Sequence, residues 1–109
     1  MWLPILGLII GLVIGLSSPL ALPVTYARYL SVAVLAALDS VFGGIRAGME
    51  GKFDTKIFIS GFFTNTLMAG LLAYLGERLG VDLYMAAIFA FGVRLFQNLA
   101  IIRRYLIKN

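Results

Sequence analysis

The sequence predicts an all-α integral membrane protein, a four-helix bundle with short connections and both termini in the cytoplasm. Three observations predict it. Of 109 residues, 61% are apolar and 13% are charged, whereas a soluble domain is about a quarter charged. A chain this small exposes much of its surface when folded, and nine basic plus five acidic residues are too few to cover it. The apolar residues also fall into runs near the roughly 20 residues that a helix needs to cross a bilayer core. These runs leave no room for a soluble domain. Residues 1–109 therefore read as a single transmembrane unit with spans at about 2–22, 26–46, 57–76 and 83–103.

The first run extends from Trp2 to about Leu16 and weakly on to Leu22, with no charge. Pro4 suits a first helical turn, where its missing N–H costs nothing. Ser17, Ser18, Pro19 and Pro23 mark the end. A cleaved signal peptide is the competing reading. The run has no Lys or Arg ahead of it, and Pro19-Leu-Ala21 is a poor small-x-small cleavage site, so retention is expected.

The second run covers about Tyr26 to Ile45, apolar except for Arg28 at its start and Asp39 inside. Residues 46–56 form the longest polar stretch, with five charges and two glycines, and read as a solvated loop that sets topology. Phe53 among those charges is a candidate to dip into headgroups or a partner's groove. The third run covers about Ile57 to Leu75. Glu77, Arg78, Gly80 and Asp82 make a tight connection to the fourth, from about Leu83 to Ile102. Short connections make neighbouring helices antiparallel.

Charge sets the orientation. With four spans, one side holds Arg46, Lys52, Lys56, Arg103, Arg104 and Lys108, and the other only Arg28 and Arg78. The positive-inside rule then puts both termini in the cytoplasm. Trp2 and Tyr105 fall at the inner interface and Tyr26, Tyr29, Tyr74 and Tyr84 at the outer one, as aromatic belts require.

Each run carries a stripe of small or polar residues. Between helices in lipid there is little hydrophobic drive, so close backbone approach matters more. Gly7, Gly11 and Gly15 lie on one face of the first run, and Ala33, Ala37, Ser40, Gly44 and Gly48 on the second. Gly61, Asn65 and Ala69 mark the third, and Ala87, Ala90, Arg94 and Asn98 the fourth. Gly7, Gly11, Gly15, Ala37, Gly44 and Gly61 are the candidate packing positions. They serve either packing within the bundle or, through the first run, self-association.

Asp39 and Arg94 are the ionisable residues deep inside the expected spans. Such groups are costly there and turn toward protein or water. Asp39 lies seven residues before Arg46, about 10 Å along a helix. Arg94 lies nine residues before Arg103, and Asn65 nine after Lys56, about 13 Å in each case. Asn98 sits one turn from Arg94 on the same face. The expectation is an Asp39–Arg94 ion pair buttressed by Asn65 and Asn98. It serves either to fix helix register or to line a proton, ion or solute path.

Other chemistry is poorly supplied. With no His and no Cys, the usual zinc, haem and thiol sites are out, and the acidic residues are too scattered for a metal. No cofactor is expected. Ser17, Ser18, Ser31, Ser40 and Ser60 have no His to act as base. Asp39, Glu50 and Asp54 form no convincing carboxylate pair, so no catalytic residue is assigned. The net charge of +4 belongs to topology and anionic lipid, not nucleic acid, since no basic stripe with interleaved aromatics exists.

Three blocks carry a resemblance. They are Tyr29-Leu-Ser-Val-Ala-Val-Leu-Ala-Ala-Leu-Asp-Ser-Val-Phe-Gly-Gly-Ile-Arg-Ala47, Phe58-Ile-Ser-Gly-Phe-Phe-Thr-Asn65 and Phe91-Gly-Val-Arg-Leu-Phe-Gln-Asn-Leu-Ala-Ile-Ile-Arg-Arg104. Over about Tyr26 to Arg104 the sequence resembles the bacterial small basic protein family, membrane proteins of unknown function. The first run matches only in character. The resemblance implies the plasma membrane of a bacterium and, from gene clusters shared with cell-division and envelope genes, an envelope role. It carries no functional residue. The expected function is a non-enzymatic interaction or assembly component whose partners are the bilayer and either other membrane proteins or further copies of itself. The alternative is a small oligomeric transporter or channel using Asp39 and Arg94.

Overall fold

The computed structural model describes residues 2–19 and 23–108. They form four helices: α1 (Trp2–Ser17), α2 (Val24–Met49), α3 (Thr55–Leu79) and α4 (Leu83–Lys108). Their ends have local causes. In α1, Pro4 occupies the first turn. After Ser17 the Ser18 N–H closes a turn onto the Gly15 carbonyl at 3.3 Å, and Pro19 has no N–H with which to continue. The helix thus stops at Ser17 instead of trailing on, and residues 20–22 of the expected first span lie outside the described residues.

Pro23 is extended (φ −61°, ψ 138°) and hands directly into α2. That helix runs through Arg46 to Met49, one turn into what the sequence suggested was loop. Arg, Ala and Met are strong helix formers, and a cation in the last turn complements the helix dipole. Beyond it, the Glu50 N–H bonds the Arg46 carbonyl at 3.0 Å and the Lys52 N–H bonds that of Ala47 at 2.8 Å. Gly51 turns the chain at φ +73°, a conformation that favours glycine.

Asp54 caps α3: one carboxylate oxygen accepts the N–H groups of Lys56 (2.9 Å) and Ile57 (3.2 Å). At the far end Gly80 adopts φ +74°, and its N–H bonds the Gly76 carbonyl. Gly76 is needed for a close approach, since a Cβ there would lie 2.6 Å from the Val81 oxygen. Asp82 then accepts the Met85 N–H at 3.2 Å and starts α4. Residues 103–108, expected as a tail, continue this helix.

Three helices, α2, α3 and α4, are long and apolar enough to cross a membrane, whereas α1 is apolar but shorter. Its 16 residues span about 24 Å, against a hydrocarbon core near 30 Å. The protein is therefore an all-α membrane protein with three long apolar helices and a fourth, shorter one.

α2 is the hub, packed on α3 and α4 and also on α1. The interior is built from small side chains. At one end Val32 and Ala36 of α2 meet Ala69 and Ala73 of α3 and Ala87 of α4, all buried. At the other end Val41 and Ile45 meet Ile102, with Ile5, Leu8 and Phe58 packed around them. Large side chains such as Leu67, Phe89 and Phe96 face outward. This is the inverse of a soluble bundle and the arrangement that lipid favours.

Candidate functional site

Between the two apolar clusters lies a polar layer. Asp39 of α2 has no exposed surface. Its Oδ1 accepts a hydrogen bond from Asn98 Nδ2 at 3.2 Å. Its Oδ2 lies 3.3 Å from Nη2 of Arg94, an ion pair by distance, yet Oδ2 makes no hydrogen bond. Asn98 Oδ1 in turn accepts from Arg46 Nη1 at 3.1 Å. The Arg46 Nε stands 3.6 Å from Glu50 Oε1. The result is a relay of charge and amide running Arg94, Asp39, Asn98, Arg46, Glu50. It begins deep in the bundle and ends at the loop after α2. A buried carboxylate is tolerated only when paired and bonded, and here two groups of α4 do both.

The structure thus brings Asp39, Arg94 and Asn98 together. Asn65 it places elsewhere: its amide donates to Ser40 Oγ at 3.4 Å, so it joins the layer beside Asp39 rather than buttressing the pair. Arg46, which the sequence places with the loop charges, belongs to α2. Its inward reach was readable from spacing, because residues 39 and 46 are two turns apart on one helix face. Gly43, between them, leaves space for the Asn98 amide, whose nitrogen would lie 3.5 Å from a Cβ.

The packing candidates divide sharply. Gly44 is buried, and a Cβ there would meet the Phe58 ring at 2.8 Å and Pro4 Cγ at 3.0 Å. Gly7, Gly11, Gly15 and Gly61 have nothing within 4 Å of a Cβ position. Among the described residues no close helix approach is made at these four glycines; α1 meets its neighbours through Pro4, Ile5 and Leu8. Gly7, Gly11 and Ala37 instead line an apolar groove of about 660 Å³ bounded by α1, α2 and α3. Phe53 is partly buried and folds onto Phe58, with ring centroids 5.6 Å apart.

A second crevice of about 270 Å³, with apolar walls and several polar groups, runs between α2 and α3. Lys52 and Asp54 lie at its loop end, Ser40 and Asn65 line it, and Asp39 and Arg94 lie at its deep end. At the opposite end of the molecule sits a collar of charge and aromatics. Tyr29 donates to Glu77, Tyr29 and Tyr74 meet edge-on at 6.1 Å, and the Arg28 guanidinium lies 5.0 Å from the Tyr84 ring centre.

The family model described as "Protein of unknown function (DUF1290)" matches residues 22–107. The chain belongs to that family. The match takes in α2, α3 and α4 with the whole polar layer, and starts after α1. The chain is 61% identical to "Small basic protein" of Bacillus subtilis over 100% of its own length and 90% of that relative's. It is 48% identical to an uncharacterized protein of Mycobacterium bovis over 77% of this chain and 71% of the relative. An uncharacterized protein of Mycobacterium tuberculosis matches to the same extent. No solved structure matches the chain.

Proposed function

We propose that the protein is a non-enzymatic interaction or assembly component of the bacterial plasma membrane, serving division or envelope assembly. In this reading both termini face the cytoplasm and α1 is a fourth, loosely held span. The observation that carries it is the open apolar groove beside α1. At Gly7, Gly11 and Ala37 its floor carries no more than a methyl group, where another helix would need close approach. Two further features support the reading. The six-to-two Lys/Arg bias favours one fixed orientation, as a component with defined partners on each side requires. The absence of His and Cys from the sequence leaves the polar layer with helix register as its simplest task.

The test uses the cysteine-free sequence. A photocrosslinker attached to Leu12→Cys, at the exposed rim of the groove, in native membranes and read by mass spectrometry, should yield defined adducts to other membrane proteins or to a second copy. Pull-down in mild detergent should return the same species. Adducts to lipid alone, together with normal division and envelope growth in a deletion strain, would overturn the proposal.

A further inference from the structure

We infer that the crevice between α2 and α3 is a water-filled vestibule, open at the 50–54 loop and closed just beyond the Asp39–Arg94 pair. It would bring solvent from one face of the membrane to the arginine that pairs with a carboxylate buried in the bundle. This goes beyond the assembly reading and does not depend on it.

Four observations carry the inference. First, polar groups stand at each level of the crevice among the apolar walls of Phe53, Ile57, Phe58 and Phe62: Lys52 and Asp54 at the loop, Ser40 and Asn65 midway, Asp39 and Arg94 at the end. An acyl chain or an apolar helix filling that space would leave the exposed Arg94 guanidinium against hydrocarbon. Second, the groups at the deep end have unmet bonding capacity. Asp39 Oδ2 is buried and accepts no hydrogen bond. Arg94 keeps 57% of its side chain exposed. A guanidinium has five N–H donors, and among the described residues its polar contact is Asp39, its other neighbour being the Phe91 ring. Water at the floor supplies the acceptors that Arg94 needs, and Asp39, with no exposed surface, lies behind that guanidinium.

Third, the space is real and of the right size. Gly43, Gly61 and Ala47 leave room between the bulky Phe53, Ile57, Phe58 and Phe62, and about 270 Å³ holds several waters, each occupying roughly 30 Å³ in the liquid. The lining charges also cancel, with Asp39 and Asp54 against Lys52 and Arg94. A neutral occupant fits that balance better than a lone ion. Fourth, the far side is sealed. Val32, Ala36, Ala69 and Ala73 form a dry plug with at most 1% exposure beyond the pair. The vestibule is thus a dead end and not a through-pore. Solvent at its floor explains how an arginine persists at this depth, because intramembrane charges face protein or a water-filled cavity.

The experiment is cysteine accessibility, made clean by the absence of native cysteine. A membrane-impermeant cationic thiosulfonate reacts with the thiolate, which forms only in water. Ser40→Cys probes the vestibule, with Ala47→Cys as a second probe should the first fail to insert. Lys52→Cys reports its mouth and Val81→Cys the opposite face. Val93→Cys, next to Arg94 but outward-facing, reports lipid at the same depth, and Val32→Cys reports the plug. In sealed vesicles Ser40→Cys should react within about tenfold of the Lys52→Cys rate and from the same side, with Val93→Cys and Val32→Cys about a hundredfold slower. A Ser40→Cys or Ala47→Cys rate as low as that of Val93→Cys would show a dry or lipid-filled crevice and overturn the proposal. So would labelling from the Val81→Cys side, or rapid reaction of Val32→Cys.

Discussion

α1 carries no charged residue and is apolar from Trp2 to Leu16, yet it is the helix least held by the others. The α2–α4 unit carries charges within its helices and is the tightly packed part. In water the order would be reversed, since the most apolar segment would be the most strongly buried. The contrast follows from the solvent. Lipid tails are as apolar as leucine, so apolar surface alone gives no reason to leave them. What draws helices together is the need of Asp39, Asn98 and Arg46 for partners, and the close fit that Ala36, Ala69, Ala73 and Ala87 allow. α1 has only Pro4, Ile5 and Leu8 to offer at one end.

The strongest way to break this comparison is to remove the polar tie. Asp39→Ala leaves Arg94 and the Asn98 amide unpaired and should destabilise the α2–α4 unit by about 3 kcal/mol in detergent unfolding. Adding Arg94→Leu should recover a large part of that loss, because the stranded charge goes too. Additive effects in this double-mutant cycle would mean that the two groups do not support one another. Next in size is Gly76→Ala. The new Cβ would press on the Val81 carbonyl and on Leu83, backbone and near-backbone atoms that cannot swing aside. A loss of about 2 kcal/mol is expected, with the α3–α4 turn the first region to gain amide exchange. An unchanged exchange rate there would show that the turn gives way freely.

Much of this region was legible in the sequence, and the reasons are geometric. Asp39, Arg94 and Asn98 share a layer because depth along a helix is residue count times rise, and each residue has a charged loop position to count from. Of the connection expected from Glu77 to Asp82, Gly80 and Asp82 turn the chain and cap α4, whereas Glu77 and Arg78 continue α3 to Leu79. Counting could not fix rotational phase or reach. Asn65 has the right depth, but its amide meets the Ser40 hydroxyl instead of the carboxylate. Arg46 was assigned to the loop, yet α2 continues through it and its long side chain turns back to Asn98. The glycines of α1 show the other limit. A small-residue stripe says that close approach is possible without saying which surface approaches, and among the described residues none does.

Gly44→Ala sharpens the comparison at the point where the two regions meet. Its Cβ would meet Pro4 Cγ of α1 at 3.0 Å and the edge of the Phe58 ring at 2.8 Å. The ring can swing away, whereas the Pro4 ring is rigid, so α1 should loosen first at a cost of about 1 kcal/mol. Trp2 is the only tryptophan and sits on α1, so its fluorescence anisotropy should fall while the helical circular dichroism holds. A parallel loss of both signals would mean that α1 and the α2–α4 unit are one cooperative body after all.

The smallest effect expected on the chain itself comes from Gly7→Ala with Gly11→Ala. Neither new Cβ meets anything within 4 Å, so no packing is lost, and alanine is the better helix former. Stability in detergent should stay within about 0.5 kcal/mol of the parent, or rise slightly. In the native membrane the same two methyl groups narrow a groove whose open floor is those glycines and Ala37. A helix that packs there by close backbone approach is pushed outward by each added methyl. Crosslinking from a neighbouring position such as Leu12→Cys should therefore fall several-fold with stability unchanged. Undiminished crosslinking would place the partner elsewhere on the surface, and a loss of stability would mean that α1 is held in the chain more tightly than its contacts indicate.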